Sequence, residues 1–182
     1  MKRSLGLTAV ILIAVLPHPP NFAPITAMAV FAGITYTARR SAILVPLAAL
    51  FFSDLVREVL YRYGLSASWG LYSGMWTVYT TTALIALLGR SVREIRSVKA
   101  IAMVTLSGSC LFFLVTNFAV WAQGSLYPHT LEGLGACYTA ALPFFRNSLL
   151  GDFTYAGVLF GIWALAEARL PVLRRVLAPA AT

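Results

Sequence analysis

The amino-acid sequence predicts an all-α membrane protein: a polytopic helical bundle of about six transmembrane helices, forming a single integral domain over residues 1–182. Three observations predict it. Hydrophobic residues make up 59% of the chain and charged residues only 11%, against about 25% charged in a soluble domain. Mean hydropathy is +0.80. Six apolar stretches, two of them short, recur at the length that about 30 Å of hydrocarbon demands of a helix. So few charges cannot cover a water-facing surface, which excludes a soluble enzyme and a disordered chain. The net charge of +8 reads as a topology signal, and no nucleic-acid partner is expected.

The first stretch runs from Leu5 to about Leu16 and stops at Pro17-His18-Pro19-Pro20. Lys2 and Arg3 before it resemble the start of a signal peptide. No small-x-small cleavage site follows, so it is read as an uncleaved first helix. The second starts near Ala23, with Pro24 placed to open a helix, and ends near Thr37 before Arg39 and Arg40. The third covers about Ser41 to Leu60 and turns polar at Ser53-Asp54. The fourth runs from about Trp69 to Leu88, the fifth from Ala100 to Trp121 and the sixth from about Ser148 to Ala168. Strand alternation is absent and several runs are too long for barrel strands, so helices are expected throughout.

Basic residues set the expected orientation. With both termini in the cytoplasm, Lys2, Arg3, Arg39, Arg40, Arg90, Arg93, Arg96, Lys99, Arg169, Arg174 and Arg175 fall inside, and only Arg57, Arg62 and Arg146 outside. The cytoplasmic loops are then short, and their Arg and Lys explain orientation alone. Nearly every group capable of chemistry falls in the outer half, as expected of a protein that receives something from outside.

Asp54, Arg57, Glu58 and Arg62 pair at i, i+3 and i, i+4 on one helix face. The cluster reads either as a self-neutralising interfacial group or as a site wall with Asp54 as its deepest charge. Gln123 to Asn147 reads as a long loop, with Gly124, Gly133 and Gly135 for mobility and an apolar Thr139–Phe145 dip; it is a lid or a sealing interfacial helix. Trp69, Tyr72, Trp76 and Tyr79 recur at i, i+3, i+7, i+10, which would place them on one helical face, as packing, lipid belt or ligand platform. His18, His129, Cys110 and Cys137 share no metal-ligand spacing, and no cofactor is expected. No Gly-x-Ser-x-Gly elbow or phosphate loop is present. Gly157-x-x-x-Gly161, Ala23-x-x-x-Ala27 and Ala29-x-x-x-Gly33 permit close helix packing.

Phe112-Phe113-Leu114-Val115-Thr116-Asn117-Phe118-Ala119-Val120-Trp121, Leu126-Tyr127-Pro128, Pro143-Phe144-Phe145-Arg146-Asn147 and Gly151-Asp152, together with the Pro17–Leu55 pattern, carry a resemblance. Over nearly its whole length the chain resembles an uncharacterised family of small bacterial inner-membrane proteins. These in turn are similar to the substrate-binding S-components of energy-coupling-factor vitamin transporters. The resemblance implies a multi-pass protein of the bacterial inner membrane that captures a vitamin or related small molecule at its outer face under mobile loops. It also implies a shared energising transmembrane subunit with ATPases as a partner, besides the lipid bilayer. S-components dock that subunit through Ala-x-x-x-Ala in their first helix; here the pattern stands in the second.

The expected substrate-binding groups are His18, Asn21, Asp54, Trp76, Asn117, Trp121, His129 and Arg146. Asn117 and Asp54 carry the most weight, because an amide and a carboxylate at membrane depth need partners. Two other classes remain open: a scaffold subunit of a membrane complex, and a membrane enzyme using Asp54, His129 or Glu132 on a lipid-borne substrate.

Overall fold

Within residues 21–67, 69–95 and 97–169, which the computed structural model describes, the chain forms five α-helices and no strand. The expected first stretch, with His18, lies outside the described residues. The helices are α1 (Ile25–Thr35), α2 (Arg39–Arg62), α3 (Met75–Ser91), α4 (Val98–Gln123) and α5 (Leu131–Arg169). Two are long and apolar enough to cross a membrane: α4, and Leu131–Ala168 of α5.

The shortest helix is the centre of the bundle. The 11 residues of α1 rise about 16 Å, roughly half the hydrocarbon thickness. A helix that short is marginal alone. Here Thr26 through Thr35 are all buried, and α1 packs against each of the other four helices. Ala27, Met28 and Phe31 face Ala49 of α2 and Ala156 and Leu159 of α5. Ala29, Val30 and Ile34 face Ile85 and Ala86 of α3 and Val104 of α4. Small side chains make that density possible. A methyl group on Gly33 would collide with the Ala86 carbonyl, and one on Gly89 would sit 2.8 Å from the Val30 carbonyl oxygen, so the α1 and α3 backbones meet almost directly.

Arginines fasten the C-terminal end of α1. Arg90 donates to the carbonyls of Tyr36 and Thr37 at 3.2 and 2.8 Å, and Arg93 to that of Thr37 at 3.4 Å. A guanidinium beside the negative end of a helix is stabilising. Besides the orientation expected of them, these two arginines thus have a structural part.

The expected bounds of α1, α2 and α4 lie within two residues of those observed. Ser97 caps α4 by accepting the Ala100 N–H at 3.1 Å. Two expectations need correction. The helix expected from Trp69 begins only at Met75, so Trp69 and Tyr72 precede it and the four aromatics share no helical face. Residues 70 and 71 are held elsewhere: Glu58 accepts the N–H groups of Gly70 and Leu71 at 3.2 and 3.4 Å, folding this stretch onto the end of α2.

The second correction concerns the long loop. Only residues 124–130 are non-helical, and α5 starts at Leu131, not near Ser148. Gly133 and Gly135 read as points of mobility and Thr139–Phe145 as an apolar dip, yet the whole stretch is helical and packs on α4. Tyr138 donates to the Leu114 carbonyl at 2.7 Å, the Cys137 thiol to that of Asn117 at 3.5 Å, and Phe113 packs on Tyr138 and Phe145. The resulting 39-residue helix is about 58 Å long, nearly twice the hydrocarbon thickness. Both cysteines are free thiols.

Candidate functional site

Polar side chains in an apolar helix pair do one of two things: they bond back to their own helix or reach across to a neighbour. Ser109 of α4 does both. Its hydroxyl lies 3.0 Å from the Thr105 carbonyl and 2.7 Å from Asp152 Oδ2 of α5, and with one proton the shorter contact, across to α5, dominates. Asp152 is 3% exposed. Its carboxylate also accepts the Thr26 hydroxyl and the backbone N–H groups of Thr26 and Ala27. Those N–H groups belong to the first turn of α1, where Pro24 supplies no side-chain cap. A carboxylate from α5 thus caps α1 and faces the positive end of its dipole. Asp152 and the Arg90–Arg93 pair hold the two ends of the central helix.

Above this cap lies a cavity of about 310 Å³ between α4 and α5, on the side away from the Arg90 loop. That is near the lower bound for small-molecule sites. Its floor is Ser109 and Asp152, and its aromatic walls are Phe112, Phe113, Phe144 and Phe145. Thr116, Asn117, Ser148 and Asn21 add polar atoms. Asn21 sits just before α1 with φ of 59°, a left-handed conformation that asparagine tolerates better than most residues.

Of the expected site residues, the structure brings Asn21 and Asn117 to this cavity. His18 lies outside the described residues, and the other five lie elsewhere. Asp54 is buried between α2 and α3, accepting the Tyr79 hydroxyl at 2.8 Å with Arg57 3.8 Å away. Trp76 is 74% exposed. Trp121 donates to the Pro128 carbonyl at 3.0 Å and packs edge-on against His129, whose Nε2 lies 3.2 Å from the Gly124 carbonyl oxygen. These contacts fold the 124–130 loop onto the end of α4. Arg146 is exposed on α5. Among the described residues, no group of three or more His, Cys, Asp or Glu is placed to hold a metal ion.

Sequence reasoning passed over Ser109, Thr116 and Ser148, because single hydroxyls in apolar helices usually bond back to their own backbone. It also read Phe144 and Phe145 as a membrane dip. The available signal was spacing. Ser109, Phe112, Phe113 and Thr116 stand at i, i+3, i+4, i+7, one face of α4 with a polar group at each end.

No curated protein and no solved structure matches the chain. The model of a family of unknown function, DUF6580, matches residues 3–173. The chain, with its buried half-length helix and the cavity above it, belongs to that family.

Proposed function

We propose that this protein is a multi-pass component of the bacterial inner membrane that captures a vitamin or related small molecule in the α4–α5 cavity for uptake, in the manner of transporter S-components. The observation that carries the reading is the cavity itself: about 310 Å³, with aromatic walls and polar groups at its floor and rim. A scaffold subunit has no need of such a chamber, and among the described residues no paired acid and base meet in it. The topology proposed is six spans with both ends cytoplasmic. In its support, the cavity lies at the end of the bundle away from Arg90 and Arg93, so the positive-inside rule turns it outward. A short helix whose N-terminus lies beside a cavity is also a recurrent feature of transporter binding sites.

The test is binding. The purified protein, screened by thermal shift against water-soluble vitamins and their precursors, should show at least one strong stabilisation; a ligand at a thousand times its Kd adds about 4 kcal/mol. Asn117→Ala should abolish that shift while leaving the unliganded unfolding profile in place. Silence across the panel, with no small molecule released on denaturation, would favour the scaffold.

A further inference from the structure

The cavity lining has a hydrogen-bonding sense. Its three hydroxyls have their protons committed: Thr116 donates to the Phe112 carbonyl at 2.7 Å, Ser148 to that of Phe144 at 3.1 Å, and Ser109 to Asp152 at 2.7 Å. A hydroxyl bonded in this way has only lone pairs left to offer. Asn117 spends one amide N–H on the Phe113 carbonyl at 2.8 Å. That bond fixes which end of the amide is nitrogen and leaves its oxygen as a further acceptor. Among the described lining side chains the remaining donors are the second N–H of Asn117 and the amide of Asn21. No Lys, Arg or His among the described residues lines the chamber. Arg146, next to Phe145 in sequence, is exposed and outside it.

We infer that the cavity selects a small aromatic or heteroaromatic molecule that brings N–H or O–H donors and carries no negative charge. This rests on the capture reading above and narrows its substrate class. A carboxylate or phosphate would have only the amide N–H groups of Asn117 and Asn21 to meet it among the described lining side chains, with Asp152 at the floor and no cation among those residues to balance its charge. A protonated amine or an amide N–H meets the opposite situation: oxygen lone pairs within reach and phenyl faces that attract a ring or a cation.

Matched pairs isolate the claim from the question of natural ligand: nicotinamide with nicotinate, pyridoxamine with 4-pyridoxate, and tryptamine with indole-3-acetate. Each pair shares a ring and differs in donor content and charge. Titration calorimetry and thermal shift on the detergent-solubilised full chain should show binding by the amine or amide member of at least one pair, and at least tenfold weaker binding by its carboxylate. Thr116→Val, which keeps the shape and removes one acceptor, should weaken the binding member about tenfold without moving the unliganded unfolding midpoint. Carboxylate members that bind as well as their partners, or better, would overturn the inference and leave the capture reading intact. No binding by any member, together with silence across the vitamin panel, would remove both.

Discussion

Asp54 on α2 and Asp152 on α5 are both buried carboxylates, 5% and 3% exposed, but their surroundings differ in kind. Asp54 belongs to a run of charges. One side-chain hydroxyl, Tyr79, donates to it, and Arg57, itself half exposed, stands 3.8 Å away at the helix surface. Asp152 has no cationic side chain among its described partners. It is held by two hydroxyls and two backbone N–H groups, the latter from the first turn of another helix, which has no side-chain cap of its own. Water and a nearby guanidinium can absorb a change at the first centre. At the second no guanidinium stands among the described partners, and the two backbone N–H groups turned toward Asp152 have no partner within their own helix. The conspicuous cluster in the sequence is therefore the tolerant one, and the isolated aspartate organises the fold and the cavity floor.

This contrast makes Asp152→Ala the most damaging substitution proposed. It orphans two backbone donors and two hydroxyls in the bundle interior, at about 1–3 kcal/mol for each group that finds no substitute. With partial rescue by the Thr26 and Ser109 hydroxyls bonding back to their own helices, the net loss should be about 3–5 kcal/mol. Thermal unfolding of the detergent-solubilised protein, followed by circular dichroism, measures it. Asp152→Asn should fall between the two, because the amide keeps one acceptor oxygen for the α1 turn. An alanine variant as stable as the parent would mean that the α1 N-terminus is satisfied in some other way, and the contrast would collapse.

The equivalent change at the other centre should be milder. Asp54→Ala leaves Tyr79 without its partner and should cost about 1–2 kcal/mol. Tyr79→Phe, which removes the donor and keeps the ring, should cost about 1 kcal/mol. In the double variant the two losses should not add, since both remove the same bond. Full additivity would show that Asp54 matters through Arg57 or through packing instead.

How much of this was legible in the sequence follows from what each part depends on. The bounds of α1 and α2 depend on local signals, Pro24 and Arg39-Arg40, that can be read without a fold, and those of α4 follow the length of its apolar run. The start of α5 depends on Tyr138 and Phe145 finding α4, a tertiary contact that outweighs two glycines and a proline. The late start of α3 depends on Glu58 reaching across 12 residues to a backbone N–H. Asn21 and Asn117, which line the cavity, stand out in the sequence because an amide in an apolar setting is conspicuous. Asp152 was visible as a charge near the sixth stretch, but its role depends on where the first turn of α1 lies in space. That short apolar stretch reads like the other spans, and nothing local marks it as the buried axis of the bundle.

The smallest expected effect sits on the exposed side of the Asp54 cluster and separates two jobs of one residue. Arg62 donates to Glu58 at 2.9 Å with its own side chain 72% exposed, and such surface pairs contribute little. Glu58 also accepts the N–H groups of Gly70 and Leu71, and that contact is what keeps residues 69–74 out of the following helix. Arg62→Ala should therefore leave the unfolding midpoint unchanged within error, at low and high salt alike. Glu58→Gln keeps one acceptor and should also be nearly silent. Glu58→Ala should leave the global midpoint almost in place, yet speed hydrogen exchange at the Gly70 and Leu71 amides and open the 64–74 connection to protease. If Arg62→Ala loosened that connection as much as Glu58→Ala, the ion pair rather than the backbone contact would be holding it. The Asp54 region would then owe its order to charge pairing after all, as the spacing of Asp54, Arg57, Glu58 and Arg62 first suggests.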